Sequence, residues 1–465
     1  MLNAALAVLV AALLFGGASR IETGGAFLTR LVTLGAFVWL VWQRRTGTIR
    51  IERPAALIWL AMIALVLIQI IPLPYSIWTA LPGRELAKAS VDLVGEQPWG
   101  AISLTPARTL DALLMLLCAF VAYVIGSQLD AAARTTLLTV ALGVMVVSAM
   151  LAIAQVGSGP QSPLYFYAIT NRDAGVGFFS NANHLANFLS GGIVLTGWWL
   201  AQRASDRRAP TTGELFSAGL IVALFLVAIF TTTSRAGTVF ALIALCFAAT
   251  FLPLRQLGIS PRLAIGGGLA ALGAGATVVV LLLTGVLGSG AFSFTGGETQ
   301  RVALVPELLG IARDFLPFGT GVGSFDPIYR SYETRDGLQF AYLNQAHNEY
   351  LQILIELGIF GFAVLAAGLI WYARRAWQAF RTAPESRTVA RQQRAVAMAM
   401  VFVVLHSAAD YPLRTDGFAV YFAFLCVLLT APPEVQRRAG GRIGRASGPR
   451  IDNTIPGLSY SQSHP

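Results

Sequence analysis

Charged side chains are scarce in this chain. Asp, Glu, Lys and Arg make up 12% of its 465 residues, where a soluble domain carries about 25%. So little polar surface cannot cover a water-soluble particle of this size, and lipid must be the main solvent. Cysteine is rarer still: Cys118, Cys246 and Cys426 each lie in an apolar run, which favours buried thiols over disulfides or metal ligands. Hard cations want clustered carboxylates, yet no DxD pair occurs, so no metal site and no cofactor are expected. No repeat of 20–50 residues is present, and only the C-terminal tail is of low complexity.

What the chain has instead is long apolar runs. Hydrophobic residues make up 55% of it, and a bilayer core of ~30 Å takes about 20 residues of helix. The pattern predicts an all-α, polytopic membrane protein with about a dozen spans, at 2–17, 26–43, 55–73, 107–127, 135–156, 183–202, 215–233, 236–253, 263–286, 348–373, 394–410 and 416–432. Met1–Ser19 has no basic n-region, so it reads as the first span rather than a signal peptide. The net charge of +10 does not point to nucleic acid, because the basic residues fall in short loops and in the tail. Alternate loops hold most of them, which by the positive-inside rule puts both termini in the cytoplasm. The opposite side then carries 74–106, 157–182 and a long segment, 287–347. Within the last, Thr299–Phe315 has an amphipathic helical pattern that Pro317 ends.

Ionisable groups at the ends of spans are where function is sought. Thr231-Thr-Thr-Ser234-Arg235-Ala-Gly237 joins two spans with almost no loop, and Arg235 is the only charge between Glu214 and Arg255. Snorkelling to head groups is its ordinary role; an anion site is the alternative, since a guanidinium fork matches phosphate oxygens and neighbouring hydroxyls can donate. Gln345-Ala-His347-Asn348-Glu349-Tyr350-Leu351, followed by Glu356-Leu-Gly358, opens the span after the long segment. A histidine at a membrane mouth is most often an ordinary polar residue, but it can also take a proton near neutrality. Glu349 or Glu356 is a candidate to orient it. Arg301 opens the amphipathic helix. Gly319-Thr-Gly321-Val-Gly323-Ser-Phe325 lacks the βαβ setting of a dinucleotide fingerprint and reads as a tight turn. Phe179-Ser-Asn-Ala-Asn183-His184 and His406 with Asp410 sit at further span ends, suited to lining a polar cavity.

In their order and spacing these motifs resemble the O-antigen ligase and polymerase family of bacterial envelope glycosyltransferases, which includes protein O-oligosaccharyltransferase relatives. The resemblance implies a GT-C-like helical fold with a core at 180–365, flanked by spans in 1–179 and 366–432; the basic tail at 433–465 is expected, from its composition and charge, to be disordered and cytoplasmic. It also implies a multi-pass protein of the bacterial inner membrane with its site facing the periplasm. There a glycan would pass from an undecaprenyl-pyrophosphate carrier to an acceptor hydroxyl, on another glycan or on the lipid A–core of lipopolysaccharide, without a metal and with inversion. The family's roles fall on Arg235 and Arg301 as cations for the pyrophosphate and on His347 as general base. Ser234, Asn183, His184, Asn348 and Tyr350 are the substrate-binding candidates around them. Membrane lipids are the remaining partner. The rival reading is a small-anion, bicarbonate-like transporter, but its midplane polar residues and two similar halves are not seen.

Overall fold

The computed structural model describes residues 1–20, 23–45, 48–204, 208–252, 260, 304–333, 343–381 and 387–432. Its regular structure is helical: α1 (Leu2–Phe15), α2 (Thr23–Gln43), α3 (Arg53–Gln69), α4 (Tyr75–Trp78), α5 (Glu85–Asp92), α6 (Pro106–Ser127), α7 (Ala131–Gly157), α8 (Ala182–Arg203), α9 (Thr212–Thr231), α10 (Arg235–Ala249), α11 (Val305–Phe315), α12 (Phe325–Tyr332), α13 (Glu349–Arg381), α14 (Arg387–His406) and α15 (Asp416–Leu428). Among the described residues there is no strand, only an isolated antiparallel bridge between Leu73 and Gly100.

Eleven of the twelve windows expected to span coincide with a helix; the twelfth, 263–286, lies outside the described residues, as does the tail. Six of these helices are long and apolar enough to cross a bilayer: α2, α6, α7, α9, α13 and α14. Another four, α1, α3, α10 and α15, are apolar but shorter. The remaining one, α8, is central. It buries 18 of its 22 residues and packs against α7, α9, α10 and α14. Small residues let its neighbours close in, as membrane helices without a hydrophobic drive between them require. A Cβ on Gly197 would come within 2.8 Å of the Ala248 carbonyl oxygen on α10, and one on Gly192 within 2.8 Å of the Phe225 ring on α9.

The chain after α11 folds back into a break in α13. Gly358 has φ +63° in the middle of that helix, so carbonyls around it lose their intrahelical donors. The glycine-rich turn supplies replacements: Thr320 N–H donates to the Ile355 carbonyl at 3.0 Å, and Gly321 N–H to that of Glu356 at 2.9 Å. In return Ile359 N–H donates to the Pro317 carbonyl at 3.1 Å. Gln69 at the end of α3 completes the junction, donating to Glu356 O at 2.7 Å and accepting from Val322 N–H at 3.1 Å. Backbones this close demand glycine, since a Cβ on Gly358 would lie 2.0 Å from Pro317 O. The tight turn read from the sequence is therefore a plug for a broken helix. The amphipathic helix before it buries Leu308, Ile311, Ala312 and Phe315; its described part starts at Val305, and 299–303 lie outside the described residues.

Candidate active site

Three histidines from three helix ends meet around one carboxylate. Asp410 lies in the turn between α14 and α15 and is 1% exposed. Its Oδ1 lies 3.2 Å from His347 Nδ1 and accepts from Tyr411 N–H at 2.9 Å. Its Oδ2 accepts from Asn181 Nδ2 at 3.3 Å and lies 3.7 Å from His406 Nε2. His184 sits behind Asn181, with 3.5 Å between Asn181 Nδ2 and His184 Nε2. Tyr411 separates the rings, standing edge-on to His347 at 4.9 Å and to His184 at 5.3 Å between centroids.

Local sequence explains how each group is held. Asn181 caps α8, its Oδ1 accepting from Asn183 N–H at 2.9 Å. His406 ends α14 and packs edge-on against Phe240 of α10. His347 stands just before α13 with φ +49°, a backbone region that costs a non-glycine residue of order 1–3 kcal/mol and is concentrated at functional sites. Its imidazole is 14% exposed, whereas His184 and His406 are buried. Only His347 among the three has an outward edge.

Neither Glu349 nor Glu356 touches that ring. Glu349 ties α13 to the next turn, accepting from Ser407 Oγ at 2.7 Å and from Leu413 N–H at 2.9 Å. Glu356 accepts from Gln352 Nε2 at 3.1 Å and Phe325 N–H at 3.3 Å, and pairs with Arg414 at 2.8 Å. Orientation of His347 falls to Asp410, 63 positions away in the chain. The sequence marks His406 and Asp410, and the 179–184 motif that holds Asn181, as polar helix ends but offers no sign of this partnership, and Tyr411 and Arg414 carry no signal in it.

The other expected residues divide. Arg235 opens α10 two residues after Thr233, which has φ +54°. That turn sits at the same end of the bundle as the histidines, because a Cβ on Gly237 would meet Ala186 Cβ at 2.4 Å, two residues after His184. A cation at a helix N-terminus works against the helix dipole but adds to its positive end, which suits an anion. Ser234 Oγ caps α10 by accepting from Gly237 N–H at 3.1 Å, which leaves its own proton available to donate. Asn348 caps α13 through Leu351 N–H at 3.1 Å, and the Tyr350 hydroxyl donates to the Val404 carbonyl. Asn183 is half-buried beside His184. Arg301 lies outside the described residues.

Among the described residues no group of three or more His, Cys, Asp or Glu is arranged to hold a metal ion. What the cluster can do is proton chemistry. A carboxylate at Nδ1 favours the proton there and leaves the Nε2 lone pair facing away, the arrangement of an oriented general base.

No curated protein matches the chain. Residues 220–366, from α9 to the middle of α13, fit the family model described as O-antigen ligase; that fit supports the O-antigen ligase and polymerase family, gives no support to a small-anion transporter, and agrees with the apolar helices of a multi-pass membrane protein.

Proposed function

We propose that this protein transfers a glycan from an undecaprenyl-pyrophosphate carrier to an acceptor hydroxyl at the outer face of the bacterial inner membrane, with His347 as general base. The acceptor oxygen attacks the anomeric carbon, forming the new C–O bond as the bond to the pyrophosphate oxygen breaks. The acceptor's proton goes to His347 Nε2, and the electron pair leaves with the lipid pyrophosphate. A single displacement of this kind inverts the anomeric centre. Asp410 holds the ring and stabilises the imidazolium as it forms; it is a positioning residue.

The leaving group gains charge as it departs, so fixed cations aimed at it lower the barrier. Arg235 serves there in this reading, with Arg301 from the segment before α11 as its counterpart. Ser234 and Asn183 border the same helix ends and are assigned to the substrate. The carrying observation is the His347–Asp410 pair: one imidazole with an outward edge, held by a buried carboxylate, in a strained backbone conformation.

Transfer of a labelled glycan from its lipid carrier, followed in membranes, tests this. Asp410→Asn should lower turnover with little change in donor KM and should move the pH profile. Adding it to His347→Ala should cost nothing further, because residues acting as a unit are not additive. Full transfer by His347→Ala would overturn the assignment.

A further inference from the structure

A second feature lies at the opposite end of the bundle. His184 and Ala201 are 17 residues apart on α8, roughly 25 Å along its axis. Around Ala201 the structure holds an open cavity of about 310 Å³, bordered by Thr250, Leu252, Phe380, Arg391 and Arg394. It forms where α8, α10 and α13 end and α14 begins.

The two arginines are three positions apart on α14 and so share a face. Each ties α14 to a neighbouring helix end. Arg391 Nη1 donates to Ala201 O at 2.9 Å, and Arg394 Nε donates to Ala379 O at 2.9 Å. A guanidinium has five N–H donors, so each bond leaves most of the fork unused. Nearby, Arg375 pairs with Glu52 and Arg208 with Glu214, while Arg203 and Arg381 stack on Trp199 and Trp377. Arg391 and Arg394 have no carboxylate partner among the described residues. Two like charges lining one cavity repel, and an anion between them would remove that cost.

The rim says what kind of anion. Phe380 is 48% exposed and Leu252 39% exposed, at the mouth of a pocket that sits at the ends of apolar helices. Arg394 also lies over the Phe380 ring at 5.8 Å. A small soluble anion has no use for that apolar border, but an acyl chain has.

We propose that this pocket binds the phosphate of an anionic phospholipid, taken from the leaflet at the arginine-rich face. The guanidiniums of Arg391 and Arg394 hold the phosphate oxygens, Thr250 borders the head group, and the acyl chains run out over Leu252 and Phe380. The site is separate from the histidine cluster and does not depend on what that cluster does.

Native mass spectrometry of the detergent-purified full chain tests this with phosphatidylglycerol and phosphatidylcholine of identical acyl chains. Phosphatidylglycerol should be retained about tenfold more strongly, and Arg391→Gln or Arg394→Gln should each weaken retention by about tenfold, the worth of one charge-assisted contact. Arg394→Lys, which keeps the charge but loses the planar fork, should fall between. Equal retention of both lipids by the unaltered protein overturns the proposal, and that measurement needs no variant to fold. Displacement of phosphatidylglycerol by millimolar inorganic phosphate also overturns it, since the site would then serve a free anion.

Discussion

Two buried polar networks sit side by side in this protein, and they are built to different standards. In the first, every carboxylate oxygen of Glu349 and Glu356 accepts a hydrogen bond from a group fixed elsewhere: Ser407 and Leu413 for one, Gln352, Phe325 and Arg414 for the other. In the second, around Asp410, imidazole nitrogens stay unbonded: His184 Nδ1, both ring nitrogens of His406, and His347 Nδ1, which approaches Asp410 Oδ1 at 3.2 Å, are buried without a hydrogen bond among the described residues. Buried polar groups are normally satisfied, and each exception calls for a cause. The satisfied network holds α12, α13 and the 407–414 turn in place. The incomplete one gathers its histidines around a single buried carboxylate and leaves only the His347 ring partly exposed.

That contrast fails or sharpens under substitution. Glu356→Ala leaves Arg414 buried without its partner, which should cost ~3–5 kcal/mol of stability. A thermal melt of the purified protein reads this, while activity per folded molecule stays near normal. His347→Ala should do the reverse: transfer falls by roughly 10²–10⁴ with insertion and melting temperature unchanged. Arg235→Ala should cost about 10²–10³ in turnover, the usual worth of one preorganised donor to a developing charge. The smallest effect is expected at Asn348→Ala, which removes a helix cap worth ~1 kcal/mol and should lower the melt by a few degrees. A large loss of transfer there with no change in melting would move Asn348 from the frame to the site.

How much of this was legible in the sequence depends on the distance over which each feature is encoded. The helices were legible, because an apolar run of span length has few alternatives in a bilayer. Eleven of twelve windows contain one, most within a few residues at the ends, although α14 starts seven residues before its window and α13 runs eight past its own. The polar helix ends at 181–184, 234–235, 347–350 and 406–410 were visible too, as rare charges and amides among apolar residues. Their pairing was not. Nothing near His347 names Asp410, and the nearer acids, Glu349 and Glu356, were the obvious candidates by proximity. In a helix beginning at Glu349 they fall on the inner face, where they meet Ser407 and Arg414 instead. Ser234 and Asn348 carry a local signal that was open to another reading: each precedes a helix by one residue, the preferred place of a capping side chain. Their oxygens are used that way here.

Arg84 shows a cation serving structure alone. It is 1% exposed, lies over the Phe315 ring at 5.5 Å, and donates through Nη2 to the carbonyls of Ile102 and Gly319. Burial pushes its guanidinium down to about 10, so it remains charged at neutral pH. It pins the loop before α6 to the turn that enters the break in α13.

That break has a mechanical consequence. The stretch from Glu349 to Leu357 is a stub of about two turns, clamped to Ser407 at one end and seated on Gly319 and Gly321 at the other. His347 rides on its tip. Any movement of the turn at Pro317–Gly321 would tilt the stub and turn the imidazole with it, so the two are mechanically one piece.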